Sequence, residues 1–248
     1  IVQIRHFMAF VILTYAFQYL GKTTKKDIIK YYILNIIAIG FHSASLVFLI
    51  LPIIQLIPMK KLIIGITAID IILIVFARLN ILPALIAKIV TGEKYVLYFS
   101  GTQWQNGLNG IFVFGTVQIG VLVILYLVRK LWNMQKIKNI DNINQEEMNI
   151  RERKFEAVFK SNIFLLIIIP FYYYLVELAR IFRIILLTDY IVIGNSITKK
   201  SIYNNMYIKI ITIIIIIILF IFLILYVGIL DKTVISILSN NYILENII

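Results

Sequence analysis

The sequence predicts an all-α membrane protein: a polytopic transmembrane helix bundle of about six spans (five to seven), with one amphipathic connecting helix. Three observations carry this. Of the 248 residues, 61% are hydrophobic and only 15% are charged, where soluble domains have about 25% charged and 45–50% apolar residues. Mean hydropathy is +0.96. The apolar residues also gather in several long runs, long enough as helices to cross a hydrocarbon core about 30 Å thick. The whole chain, 1–248, reads as a single membrane domain, with 133–161 as a hydrophilic amphipathic connector inside it.

The runs follow one another along the chain. Residues 1–20 form a short apolar segment interrupted by Arg5 and His6, either a first span with a snorkelling arginine or an interfacial helix. The chain begins at Ile1 rather than Met, which suits a processed or incomplete N-terminus, and no separable signal peptide is read there. A basic loop follows, with Lys22, Lys25, Lys26 and Lys30. Residues 31–58 are expected to be one span. Gly40 and Ala44 on it are four apart, the small-xxx-small spacing that lets helices approach closely in lipid. His42 lies near its middle, read either as a proton relay or, preferably, as a hydrogen-bonding contact to a neighbouring helix. Pro52 and Pro58 kink or close its end.

Residues 62–82 form the next span. Asp70 and Arg78 lie on it about 80° apart in helical projection and two turns distant, so they are not a direct pair. Arg78 can snorkel to the headgroups; Asp70 is too short to do so and is expected to face protein or water. Residues 84–109 are ambiguous between a surface helix, a re-entrant segment and an extra span, with Lys88, Glu93 and Lys94 among their apolar patches. Residues 111–128 are a span with Thr116 and Gly120 as a packing face. In the connector, Glu147–Arg151 and Glu156–Lys160 have the i,i+4 spacing that supports a helix. Residues 162–187 are expected to form one long span, about 39 Å at 1.5 Å per residue. A polar loop follows it, then a nearly polar-free span over 206–230 and a tail from Asp231 to Ile248.

Orientation does not resolve from this reading. The basic stretches 21–30 and 129–161 both favour the cytoplasmic face, yet six simple spans put them on opposite faces, three crossings apart.

The net charge is +12, from 24 Lys+Arg against 12 Asp+Glu. In a chain this apolar the basic residues belong to loops that set orientation and meet anionic headgroups. No basic run is interleaved with aromatics, so nucleic acid is not an expected partner. The expected partners are the lipid bilayer and other membrane subunits. The absence of cysteine excludes disulfides, thiolate zinc and iron–sulfur sites. With two histidines no metal site is expected, and no cofactor either. About a quarter of the residues are isoleucine, which suits A/T-rich coding in an organelle, a protist or a low-GC bacterium. A mitochondrial inner membrane and a bacterial plasma membrane are not distinguished.

No catalytic motif is found: there is no HExxH, GxSxG or P-loop, and neither histidine has an evident nucleophile beside it. The reading leans against an enzyme. The expensive residues are the charges on spanning helices. Glu177, Arg180 and Arg183 recur at i,i+3 and cover a 120° face, with Tyr173 and Tyr174 one turn before them. That stripe lines an ion pathway, docks onto another subunit, or reaches the headgroups from the helix end. Arginine at every third position resembles a voltage-sensor helix, which carries more such arginines. A buried arginine on the penultimate helix, followed by one last apolar helix, resembles the proton-translocating a subunit of rotary ATP synthases, whose final helix is more polar than this one. Neither family is assigned. The intramembrane polar candidates are Asp70, Glu177, Arg180, Arg183 and His42. The function expected is a membrane component of a transport or ion/proton-translocating system. The alternative is a non-catalytic structural subunit of a larger membrane complex, such as an organellar energy-transducing one.

Overall fold

The protein's computed structural model describes residues 2–21, 24–79, 81, 107–138, 145–174, 178–198 and 206–227, and every regular element among them is helical. Helix α1 (Val2–Leu20) turns at Gly21 into α2 (Lys25–Phe41). Thr24 starts α2: its hydroxyl accepts from the Asp27 N–H and also donates to the Asp27 carboxylate, so one side chain satisfies a free end of the helix.

The expected single span over 31–58 is instead a hairpin. Helix α2 stops at His42, which has extended backbone (φ −150°, ψ 117°). A 3₁₀ segment, Ser43–Ile50, then runs back along α2 and continues into α3 (Leu51–Leu56). The reversal is held by the buried Tyr31 hydroxyl, which donates to the Phe48 carbonyl at 2.8 Å across 17 residues of sequence. The break also separates Gly40 from Ala44, so the two do not form one packing face, and the space around the Gly40 Cβ position is open to at least 4 Å. Pro52 sits in the first turn of α3, where a missing N–H costs nothing. Pro58 precedes α4 (Met59–Arg78) and its carbonyl accepts from Leu62 N.

Helix α5 (Gly107–Lys138) and α6 (Gln145–Leu165) pack antiparallel, and α6 passes into a second 3₁₀ segment, Leu166–Tyr173. Pro170 explains the change of helix, since it has no N–H to give to the preceding turn. Gln118 of α5 repairs the junction: its Nε2 donates to the Leu165 carbonyl at 2.7 Å, and its Oε1 accepts from the Tyr172 hydroxyl at 3.0 Å. The expected long span over 162–187 is thus also a reversal. Helix α7 (Ala179–Thr198) comes back beside α6, so that Asn162 meets Asp189, 27 residues further on. Residues 188–198, expected as loop, complete this helix. Helix α8 (Met206–Val227) packs on α5, with Leu219 seated over Gly120, where a Cβ would approach its side chain to 2.6 Å. The ambiguous stretch 84–109 lies largely outside the described residues, as do residues 199–205, expected as loop, and the tail.

The reversal at His42 brings the basic stretches 21–30 and 129–161 toward each other. A Cβ on Gly21 would lie 2.8 Å from the Lys154 Cα, so the α1–α2 turn touches the middle of α6. Lys160 of α6 donates to the carbonyls of Gln55 and Ile57, each at 2.8 Å, where its charge complements the C-terminal end of α3. Arg129 pairs with Glu156 at 2.6 Å. The basic stretches around 25–30, 60–61, 129–130 and 153–160 therefore gather at one end of the bundle. The expected Glu156–Lys160 pairing gives way to these two longer-range contacts.

Candidate functional site

The opposite end is built differently. It collects the first turns of α1, the corner at His42 and the start of α7. His6 of α1 and His42 meet edge to face, with ring centroids 4.7 Å apart. The His42 Nδ1 caps the 3₁₀ segment by accepting from Ala44 N at 3.5 Å, while His6 Nδ1 is buried with no hydrogen-bond partner. Arg180 and Arg183, i,i+3 on α7, lie within electrostatic reach of this pair: both act on His6, and Arg180 on His42. Both arginines are exposed, and among the described residues neither forms an ion pair with a carboxylate.

Two histidines in contact and two arginines within electrostatic reach of them therefore share this end of the bundle, and no acid among the described residues pairs with them. Such an arrangement favours an oxyanion. Guanidinium forks match phosphate and carboxylate oxygens, and an imidazole beside a bound oxyanion is suited to moving a proton. Sequence reading singled out Arg180, Arg183 and His42 but set His6 aside; only the hairpin at His42 brings the two rings together.

The other expected site residues lie elsewhere. Glu177 lies outside the described residues. Tyr173 and Tyr174 do not extend the arginine stripe, because they belong to the end of the 3₁₀ segment and not to α7; the Tyr174 hydroxyl donates to the Ala77 carbonyl of α4 at 2.7 Å. Asp70 is half-buried on the face of α4 that also carries Ala77, and its Oδ1 has no hydrogen-bond partner. No ion pair joins Asp70 to Arg78 among the described residues. Gln118, Asn162 and Asp189, all at most 1% exposed, were missed. Gln118 had a visible signal, a lone amide inside an apolar span. Asp189 had none, since it follows the expected end of a span.

The surroundings are those of a membrane protein. Leu108–Lys130 and Glu152–Tyr173 are long and apolar enough to cross a bilayer. The outer surface is strongly apolar: on α4 alone Ile63, Ile64, Ile69, Ile71, Ile72 and Val75 are exposed, Ile64 to 70%. An exterior this rich in exposed isoleucine suits lipid better than water. No curated protein and no solved structure matches the chain. Residues 1–241 match the EpsG family, almost the whole length, and this all-helical integral membrane protein belongs to that family.

Proposed function

We propose that the chain is a multi-pass membrane protein that receives an anionic substrate, delivered along the membrane, at the His6–His42–Arg180–Arg183 cluster. The observation that carries this is the convergence of the two histidines and two arginines, unneutralised by any described carboxylate. The lysine-rich end takes the cytoplasmic side by the positive-inside rule, which turns the cluster to the other face of the membrane. The arginines are exposed on a bundle whose exterior is apolar, so their natural ligand is an oxyanion at the headgroup level, above all the phosphate of a lipid-anchored molecule. The guanidinium groups hold the phosphate oxygens, and the imidazoles supply the proton exchange that a transfer or release step requires.

A second reading, translocation of ions or protons through the bundle, is favoured by Asp70, a half-buried carboxyl with an unpartnered oxygen on a helix whose exposed residues around it are mostly apolar.

The test is binding in lipid nanodiscs. A diphosphate-headed lipid is compared with a neutral-headed analogue of the same tail, using wild type, Arg180→Gln, Arg183→Gln and the double variant. The expected result is preference for the diphosphate, lost by about tenfold or more per arginine, which corresponds to about 1.4 kcal/mol each. Equal binding of both lipids, unaffected by the substitutions, refutes the anion reading. Proton flux through wild-type vesicles that vanishes in Asp70→Asn supports the second reading in its place.

A further inference from the structure

The middle of α7 holds a carboxyl group that the cluster at its start does not use. Asp189 is completely buried. Asn162 of α6, itself 1% exposed, donates from Nδ2 to Asp189 Oδ1 at 2.7 Å and to the Val158 carbonyl at 3.1 Å. Asp189 Oδ2 and Asn162 Oδ1 are buried without a hydrogen-bond partner. Among the described residues no Lys, Arg or His forms an ion pair with Asp189. One turn to either side on the same helix stand Ile185 and Ile193, both buried. A carboxylate enclosed in this way, with one neutral amide for company, would cost several kcal/mol. The group therefore needs a cation. A metal ion needs several oxygens around it, whereas the pair offers two unpartnered ones; a proton needs one.

We propose that the Asp189–Asn162 pair is a proton-binding site inside the bundle, with the proton on Asp189 and the amide of Asn162 fixing the other carboxyl oxygen. Asp189 stands six residues beyond Arg183, about 9 Å along the same helix axis. Removing the proton places an uncompensated charge at the α6–α7 contact, so its occupancy acts on the helix that presents Arg180 and Arg183. The site stands on its own geometry, whatever the cluster binds.

The experiment is infrared spectroscopy of the full chain in detergent at neutral pH, with carbon-13 aspartate, on a background of Asp70→Asn. A carboxylic-acid C=O band that shifts with the label, and that Asp189→Asn removes, is the expected result. Asn162→Leu keeps Asp189 and should move that band without abolishing it, which serves as the test if Asp189→Asn does not fold. Absence of any such band, or its survival in Asp189→Asn, overturns the proposal. So does a sodium-dependent rise in thermal stability that Asp189→Asn lacks, since the occupant would then be a metal ion.

Discussion

Replacing Gln118 by leucine tests how the bundle tolerates the helix change at Pro170. The substitution keeps an elongated side chain of similar bulk and removes two hydrogen bonds. The Tyr172 hydroxyl, in a residue with no exposed surface, loses its acceptor at 3.0 Å, and the Leu165 carbonyl loses its side-chain donor at 2.7 Å. In a water-soluble core each orphaned group costs about 1–3 kcal/mol. Between helices in a bilayer the measured worth is smaller, about 0.6 kcal/mol on average and about 1.7 at most, because unfolded helices in lipid find other partners. Two bonds therefore give a loss of about 1–3 kcal/mol for Gln118→Leu. Tyr172→Phe removes only one of them and should cost about 0.5–1.5 kcal/mol. Because the two residues share a bond, the double variant should lose less than the sum of the singles. Steric-trap unfolding in bicelles gives these free energies directly. A Gln118→Leu protein as stable as wild type, or strict additivity in the double variant, would refute the claim that this amide repairs the junction.

Other outcomes follow from the same contacts. Gly21→Ala should destabilise by about 1–3 kcal/mol, since its Cβ meets the Lys154 backbone and neither segment can yield without separating. Gly40→Ala, with open space around it, should be neutral or stabilise by up to about 1 kcal/mol, and the pair is compared by thermal melting in detergent. Lys160→Met leaves the Gln55 and Ile57 carbonyls without their donor and should lower stability by about 1–3 kcal/mol in the same assay. The chain has no cysteine, so single replacements report topology cleanly. Lys26→Cys, Lys60→Cys and Lys154→Cys should react with an impermeant maleimide from one side of the membrane and Arg78→Cys from the other. Labelling of Lys26→Cys and Lys154→Cys from opposite sides would break the proposed arrangement.

How much was legible in advance depended on what kind of physical signal each feature leaves in one dimension. Composition and long apolar runs report the solvent, because every residue on a lipid-facing helix must satisfy it independently of its neighbours. That is why the helical class and the membrane were evident from isoleucine-rich segments such as 206–230. Arg180 and Arg183 were visible for the same reason, as charges that stand out against their surroundings. The reversal at His42 and the return of α7 beside α6 left no such mark. An apolar run such as 31–58 is equally compatible with one long helix or two short ones back to back. What selects the hairpin is contact between residues far apart in sequence: Tyr31 with Phe48, Asn162 with Asp189, Gln118 with Leu165. Each of these satisfies a polar group that water cannot reach, and none is a property of a local stretch. The pairing of His6 with His42, and the gathering of the lysines at the far end, are consequences of those reversals. A chain written along a line carries the cost of burying each side chain; only the folded bundle supplies the partners that offset it.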